Sequence, residues 1–560
     1  MTDLKKTRLF MFAAPLCSGG ILVFAFPAWN SGLAVWAWLF PLLSVLWAWR
    51  DVEGVKARPF LRGYLCGLAF FLPNLWWVRH SSRVIGGAYD DSWVGWGPEL
   101  MGFGAVTGLS GYCAVYFGLW AWFTHRFARP SVKTLTQDTW QVSVTHSLWS
   151  AFLAAGAWVA CEWLRSTTVF TGFGWNGLGV AMQRNLVLIQ PADVVGVMGL
   201  SFLPVFVTCA AWNMITRLVF FFRGEGTCKS RLDFTVALIL MLASAGYGAL
   251  KLTEKPAENI KVRTVVVQPN VAQVDAWSGR FAEQTYERLD KFTRMYAASR
   301  DGKTPADLVI WPESALPVNI NDKFHQLPEG WHTHYFDDLL HTGDFALLSG
   351  TEILEDDGRA RVSAVLFQGN SANRQDHHKV HLVPFGEYLP LRDIPPFSFL
   401  RGVLPGDFTP GTQTEPLRLM RPEVQIIPLI CFEDTVGRVA RKFSREAPQM
   451  IVSISNDGWF LHSIETEVHL ANAIFRSIEL RRPMVRATNT GVTCFIDPQG
   501  RVTSRLDDPD TGRSFVEGVL PGEVSVPLKG GMTVYARFGD WFALTMLLIC
   551  AGRMATRLVF

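Results

Sequence analysis

Three residues that could together make and break an acyl thioester lie at separate points of this chain. Glu313 and Cys431 each follow a short apolar run typical of a buried strand, and Lys379 lies between them in a histidine-rich segment. A thiol is a useful nucleophile only as its thiolate, so Cys431 needs a base or a nearby cation. Glu313 could accept the proton if burial raises its pKa. Lys379 could favour the thiolate and then, with the backbone N–H of Phe432, hold a tetrahedral oxyanion.

Two further acids lie near these residues in the sequence. Glu387 or Glu433 could orient the lysine or carry a later proton, and the sequence does not say which lies nearer to Lys379. Ordinary structural interpretations also exist. A cysteine after an apolar strand is more often a packed core residue than a nucleophile, and a glutamate at a strand end is often a turn or cap residue. Spacing alone leaves both interpretations open.

The elements that must position these residues are short strands mixed with helices. The segment 281–297 places Leu289, Phe292 and Tyr296 on one face of an amphipathic helix. Apolar runs predict strands at Val262–Val267, Leu308–Trp311, Ala346–Gly350, Ala364–Gln368, Ile426–Ile430, Ile451–Ser455 and Val492–Asp497. This mixture predicts a layered α/β or α-β-β-α domain, in which strand ends carry the reactive groups.

The overall composition indicates a membrane part joined to a water-soluble part. Of 560 residues, 18% are charged, whereas soluble proteins carry about a quarter. The mean hydropathy of +0.18 also excludes a wholly soluble enzyme and a disordered chain. A net charge of +3 without a basic stripe excludes nucleic acid as a partner. Nine cysteines without a CxxC pair give no support for a zinc ribbon or a disulfide framework.

Apolar segments of about 20 residues predict about eight membrane spans. They are 9–28, 32–49, 60–78, 101–124, 147–163, 193–222, 233–251 and 541–557. Basic residues concentrate before the first span and in every second loop, which places both termini in the cytoplasm. The predicted division is a seven-span region over 1–255, a domain on the opposite face over 256–530, and a spanning helix within 531–560.

Two other patterns suggest binding sites that their surroundings do not support. Gly172–Gly177 matches GxGxxG, but a non-cytoplasmic loop lacks the flanking strand and helix of a dinucleotide site, so a turn-rich loop is predicted. Histidines within 377–381 have near-helical spacing, as have His462 and His469 around Glu465. Because no HExxH occurs and a lysine within the first cluster repels cations, we predict no metal site.

In their order along the chain, the motifs resemble the nitrilase, or carbon–nitrogen hydrolase, superfamily, whose site is a Glu–Lys–Cys triad. The matching segments are Trp311–Glu313, Lys379–Glu387 (KVHLVPFGE), Ile430–Glu433, Asn456–Phe460, Val485–Val492, Asp497–Gly500 and Ala536–Trp541. The resemblance implies that Glu313 is the general base, Lys379 the oxyanion stabiliser and Cys431 the nucleophile. It also implies an α-β-β-α sandwich inserted into a polytopic α-helical membrane protein.

Supporting residues follow from the same resemblance. Glu387 and Glu433 match the supporting acids of the superfamily, and Trp459 lies in one of the matching motifs. Phe432 stands where many members carry tyrosine, which leaves its backbone N–H but no phenolic hydroxyl. We expect no cofactor and no metal.

With its spans, the chain resembles the membrane-bound acyltransferase branch of this superfamily. The resemblance implies that Cys431 takes an acyl chain from a phospholipid, expected to be phosphatidylethanolamine, and releases a lysophospholipid. The amine of a diacylglyceryl-cysteine on an apolipoprotein then attacks the thioester, in a ping-pong transfer. The implied location is the bacterial inner membrane, with a periplasmic catalytic domain. The apolar loop 394–404 is expected either to face the lipid as a lid or to pack inside the domain.

Two alternatives remain at this point. The same triad would serve a membrane-tethered nitrilase-type amidase that hydrolyses a soluble C–N bond, and only the acceptor separates the two reactions. A transporter or receptor with a ligand-binding domain predicts buried charges within the spans, which hold few apart from Glu99 and Glu162.

Overall fold

A computed structural model describes residues 2–47, 57–88, 90, 93–254, 258–276, 282–297, 306–315, 337–355, 358–395 and 407–559. The chain forms two compact units. The helical unit comprises Met1–Val78, Phe103–Glu254 and Phe538–Phe560, and the sandwich unit comprises Arg79–Gly102 and Lys255–Arg537.

Helices occupy every segment that was predicted to span a membrane. The longer ones are Thr2–Val23, Leu39–Leu46, Pro59–Asn74, Trp96–Phe123, Trp140–Thr167, Ala192–Leu200, Phe202–Phe222, Leu232–Thr253 and Trp541–Val559. Shorter helices lie within or between these segments. They are Ala34–Ala37, Trp76–Val78, Arg79–Ile85, Thr124–Ala128, Val132–Gln137, Val180–Met182, Leu186–Ile189 and Val534–Phe538. Four helical segments in the described ranges are long and apolar enough to cross a bilayer, namely Trp96–Ala128, Trp140–Thr167, Phe202–Phe222 and Leu232–Thr253. A membrane-spanning helical region is therefore confirmed, and the count of eight stays a prediction.

The predicted span 193–222 is divided into two helices. Gly196 has a φ of +71°, and Ser201 separates Ala192–Leu200 from Phe202–Phe222. The Ser201 hydroxyl donates to the buried carboxyl of Glu162 at 2.5 Å. A polar contact therefore holds this break in place, which hydropathy averaged over a window does not detect.

The glycine-rich loop Gly172–Gly177 follows a helix, Trp140–Thr167, and not a strand. Arg165 donates to the carbonyls of Phe173 and Trp175 at 3.0 and 2.7 Å. Gly172 has a φ of +82°, a conformation that disfavours any residue with a Cβ. The loop is thus a turn held by its own helix, as the sequence predicted.

The sandwich unit contains two six-stranded sheets. Its strands are β1 (Asn259–Gln268), β2 (Leu308–Ile310), β3 (Ala346–Leu354), β4 (Ala360–Gln368), β5 (Asn370–His378), β6 (Leu417–Met420), β7 (Glu423–Ile430), β8 (Gln449–Ser455), β9 (Met484–Thr488), β10 (Cys494–Ile496), β11 (Val502–Arg505) and β12 (Gly518–Pro527). The strand order is β12-β1-β2-β3-β4-β5 in the first sheet and β11-β10-β9-β8-β7-β6 in the second. In each sheet three neighbouring strands are parallel, β1, β2 and β3 in the first and β7, β8 and β9 in the second.

The core lies between the two sheets. Val266 and Ile310 of the first sheet and Ile430 and Val452 of the second belong to one buried apolar cluster. On the other face of the first sheet, helix Ala282–Tyr296 packs through Tyr286 and Leu289, in the segment predicted to be amphipathic.

Two helices pack with the second sheet. Gly437–Lys442 contacts β7, and Glu465–Leu480, which is buried at every position except Glu467, contacts Gly437–Lys442 and the turn that follows β7. A short helix, Gln273–Ala276, follows β1, and single turns Cys431–Thr435 and Asp457–Phe460 follow β7 and β8. The predicted α-β-β-α layering is confirmed.

Five strands were not predicted, namely β5, β6, β9, β11 and β12. β5 and β11 are mostly polar and at least partly exposed, so their sequences lack the apolar run that marks a buried strand. His377 and His378 end β5, where neighbouring side chains point to opposite faces, so these two histidines do not share a face. Most of the predicted lid loop 394–404 lies outside the described residues.

Candidate active site

Glu313 is positioned by the turn that follows β2. The N–H of Trp311 donates to the carbonyl of Leu348 at 2.8 Å, and its ring N–H donates to Thr293 at 3.0 Å. Gly350 of β3 donates its N–H to the carbonyl of Pro312, and a Cβ at this glycine would come within 2.5 Å of the same oxygen. Close backbone packing therefore fixes Glu313, whose side chain is buried.

Lys379 follows β5 directly and is almost completely buried, with 1% of its side chain exposed. Its Nζ lies 2.5 Å from Oε1 of Glu387 and 3.5 Å from Oε1 of Glu313. The other carboxylate oxygen of Glu387 accepts the N–H of Val383 at 2.8 Å. Of the two acids considered from the sequence, Glu387 is therefore the one beside the lysine.

Glu433 has a different task, because its carboxylate binds backbone and not Lys379. One oxygen accepts the N–H groups of Val380 and His381 at 2.7 and 2.9 Å, and the other accepts that of Ile430 at 2.9 Å. The residue is fully buried. It therefore ties the segment after Lys379 to the end of the strand that leads into Cys431.

Cys431 begins a 3₁₀ turn, Cys431–Thr435, at the end of β7. Its φ of +52° is in the left-handed region, which side chains other than glycine rarely adopt. Its thiol lies close enough to the carboxyl group of Glu313 for each group to affect the pKa of the other. The next residue, Phe432, stacks on His381 with ring centroids 5.8 Å apart. The structure thus brings Glu313, Lys379 and Cys431 together.

Burial and charge set the protonation of this site. Burial raises the pKa of Glu313 to about 7, although Lys379 opposes the rise. Burial also raises the pKa of the Cys431 thiol to about 12, and the Glu313 carboxylate adds to the rise. Burial disfavours the charge on Lys379, but Glu387 and Glu313 outweigh it and raise the pKa of the ammonium. The resting site therefore holds a protonated thiol beside a carboxyl group that can take its proton.

Trp459 lies at the same edge of the second sheet. It is half-buried in the turn Asp457–Phe460, which follows β8, the parallel neighbour of β7. Its supporting role stays a prediction.

Two of the possible metal ligands considered from the sequence, Glu465 and His469, belong to a buried group that also contains Asp457. Among the described residues, Asp457, Glu465 and His469 have potential ligand atoms within 4.8 Å of one another. The guanidinium of Arg486 lies 3.4 Å from Asp457 and 3.3 Å from Asp434. Because a cation here would face a resident positive charge, these residues fit an internal ion-pair cluster better than a metal site.

Sequence reasoning missed that cluster as a unit. Asp457 and Arg486 were noted only within motifs and His469 only as a possible metal ligand, and Asp434 was not singled out. Charged residues within otherwise apolar segments were the available signal, since such residues are rarely fully buried without partners.

We expect Glu433→Gln to destabilise the sandwich unit without removing any reacting group. A glutamine has one acceptor oxygen in place of two, so at least one buried N–H loses its partner, at about 1–3 kcal/mol. Thermal unfolding of the purified full chain measures the loss. The exposed Glu446→Gln is the control, because Glu446 forms a solvent-exposed ion pair with Arg537. Equal unfolding temperatures for the two variants would contradict the assigned role.

The chain is similar to known families and proteins. Residues 18–210 match the apolipoprotein N-acyltransferase N-terminal domain family, and residues 265–519 match the carbon-nitrogen hydrolase family. An apolipoprotein N-acyltransferase of Geobacter metallireducens is 30% identical over 94% of this chain and 91% of its own length. One of Caulobacter vibrioides is 30% identical over 92% and 89%. An amidase from Nesterenkonia sp. aligns with 48% of this chain and 90% of its own, at 17% identity and a TM-score of 0.33.

Proposed function

Because the chain belongs to the apolipoprotein N-acyltransferase family, we propose that it transfers its acyl group through a thioester on Cys431. Membership makes the chain an acyltransferase of the bacterial inner membrane that acts on lipid and apolipoprotein substrates. Family membership also excludes the transporter or receptor alternative. The observation that carries the proposed mechanism is the meeting of Glu313, Lys379 and the Cys431 thiol in one buried site.

The first half-reaction forms the thioester. Glu313 takes the thiol proton as the sulfur of Cys431 attacks the acyl carbonyl carbon of a phospholipid. The carbonyl electron pair moves onto oxygen, where the Lys379 ammonium and the backbone N–H of Phe432 stabilise the charge. When the tetrahedral intermediate collapses, the C–O bond breaks and Glu313 returns the proton to the lysophospholipid oxygen.

The second half-reaction forms the amide. The neutral α-amine of a diacylglyceryl-cysteine attacks the thioester carbon and gives one proton to Glu313. The C–S bond then breaks, and the proton on Glu313 returns to the sulfur, which restores the thiol. The same base and the same oxyanion stabiliser thus serve both steps, as expected of ping-pong transfer.

The donor and the orientation are part of the proposal. We propose phosphatidylethanolamine as the donor, since it is the phospholipid that the sequence resemblance implies. The basic residues of alternate loops support a cytoplasmic location for both termini. In this topology a seven-span region covers 1–255, the catalytic domain over 256–530 faces the periplasm, and a last span lies within 531–560. Glu387 keeps Lys379 charged and in place. Trp459, in the turn that follows β8, is a supporting residue of the site.

A labelled donor tests this function. Phosphatidylethanolamine with a fluorescent acyl chain is given to the purified full chain in detergent, and the protein is separated from lipid before detection. We expect the label on the peptide that contains Cys431. Addition of a diacylglyceryl peptide with a free N terminus should then move the label into an amide. Release of free fatty acid at the same rate with and without the peptide would support the amidase-type hydrolase instead.

The pH dependence of thioester formation should reflect Glu313. A base must be unprotonated to act, and the pKa of Glu313 is about 7. We therefore expect kcat/KM for the donor to fall about tenfold per pH unit below pH 7. Glu313→Gln should lose this acid limb and about 10²–10⁴-fold in rate. An unchanged acid limb in the variant would assign the titration to another group.

A further inference from the structure

A fully buried cluster of charges lies directly behind the Cys431 turn. Asp434, Asp457, His469 and Arg486 are each at most 2% exposed. Nε2 of His469 is 2.8 Å from Oδ1 of Asp434, and Nδ1 is 3.1 Å from Oδ1 of Asp457. A neutral imidazole donates from only one nitrogen. Hydrogen bonds to two carboxylates therefore require a proton on each of the two ring nitrogens.

The histidine joins two turns that carry site residues. Asp434 belongs to the turn Cys431–Thr435, and Asp457 begins the turn that contains Trp459. His469 itself lies on the buried helix Glu465–Leu480. The ends of β7 and β8 are therefore connected through one side chain.

The rest of the cluster satisfies both carboxylates. Ser453 donates to Asp434 at 2.8 Å, and Ser455 and Thr466 donate to Asp457 at 2.9 and 3.0 Å. Arg486 supplies the second cation, so two anions face two cations. Burial without a counter-ion is unfavourable for each of these groups, and the balanced set avoids it.

Glu465 is a further titratable group that faces the histidine. Its carboxyl lies 3.5 Å from Nδ1 of His469 and is buried. Burial raises its pKa to about 7, and the neighbouring Asp457 adds to the rise. Burial disfavours the imidazolium, but Asp434 and Asp457 outweigh it and raise the pKa of His469 well above its ordinary value. The two aspartates therefore keep the imidazole of His469 protonated.

This charge acts on a nucleophile with an unfavourable backbone conformation. The φ of +52° at Cys431 persists only if the surrounding contacts hold the turn. Two residues of the turn provide these contacts. Glu433 accepts backbone N–H groups, and Asp434 binds His469. Among the charges that act on the thiol, Lys379 and His469 favour the thiolate, while Glu313 and Asp457 oppose it.

We propose that His469, as an imidazolium, is a positioning residue for acyl transfer, which holds the Cys431 turn through Asp434 and favours the Cys431 thiolate by its charge. This inference rests on the proposed role of Cys431 as nucleophile. His469 touches neither substrate in this account and acts only through the turn and the field at the sulfur.

Two substitutions with opposite expected effects test the inference. The measurement is the rate of Cys431 alkylation by iodoacetamide at pH 8, followed by mass spectrometry of the Cys431 peptide in the full chain. His469→Gln removes a cation, so we expect about a tenfold slower alkylation. Asp457→Asn removes an anion with nearly the same shape, so we expect faster alkylation. A purely structural role gives no reason for the direction of the change to follow the sign of the charge that is removed.

Acyl transfer supplies the second measurement. With the labelled donor, His469→Gln should lower kcat at least tenfold and leave KM unchanged. The exposed His462→Gln is the matched control and should keep the rates of the unsubstituted protein.

If His469→Gln does not fold, Asp457→Asn alone decides, because an unchanged or slower alkylation rate in it would overturn the role of charge. If label still reaches Cys431 of the unsubstituted protein while His469→Gln is unaffected, the inference fails and the proposed function stands. If no label reaches Cys431, the proposed function itself fails.

Discussion

The Cys431→Ala variant is expected to take up no acyl label from phosphatidylethanolamine and to make no amide product. The sulfur forms the only covalent bond to the acyl chain in the proposed reaction, so no other group of the triad can replace it. Loss of the nucleophile in acyl-transfer triads costs about 10⁶-fold in kcat, which is below detection here. The measurement is in-gel fluorescence of the protein after removal of lipid, together with chromatography of the peptide product.

The matched control for that variant is Cys494→Ala. Cys494 is the other described cysteine of the sandwich unit, and it is buried in β10. This variant should keep both the label and the transfer rate. Label retained on Cys431→Ala at the level of the unsubstituted protein would refute the thioester mechanism, whatever the fate of the product.

Lys379→Met should produce the second large effect. Methionine keeps an unbranched chain but removes the charge that faces the oxyanion, which costs about 10²–10³-fold in rate. It also leaves the carboxylates of Glu313 and Glu387 buried without the shared cation that now lies 3.5 and 2.5 Å from them. The pKa of Glu313 should therefore rise above 7, since Lys379 now holds it down.

This second effect gives Lys379→Met a distinctive pH profile. Because Glu313 must lose its proton to act as the base, the remaining activity of the variant should increase with pH over a range in which the unsubstituted enzyme has levelled off. The rate of thioester formation between pH 6 and 10 measures this. Lys261→Met, at an exposed position of β1, is the control and should match the unsubstituted profile. A variant with the acid limb unshifted would show that Lys379 does not control the base.

The sequence was most informative where a segment is buried on both sides. β2 and β8 are buried at every position, and their apolar runs predicted them within two residues at either end. β5 could not be found in this way, because its polar residues pair with β4 at the edge of the first sheet. Strand pairing depends on a neighbour from elsewhere in the chain, and local composition does not report it.

The same difference applies to the two supporting acids. Sequence motifs selected Glu387 and Glu433 together, as equivalent partners for one lysine. Only the structure separates them, with Glu387 on the ammonium and Glu433 on three backbone N–H groups. Two of those N–H groups belong to residues more than 50 positions away, so no local pattern could have indicated the contact.

Residue types and short apolar runs were enough to predict a thiol-based acyl transfer and a chain divided between a membrane region and a water-soluble domain. Residue types and their order specify a thiol, a base and a cation, and apolar segments specify a membrane region, because these properties belong to individual residues and short runs. The tertiary structure alone decided the protonation of Glu313, the separate roles of the two acids and the charge cluster around His469. Those properties depend on distances of a few ångströms between residues far apart in the chain, which are set by strand register and by the packing of two sheets.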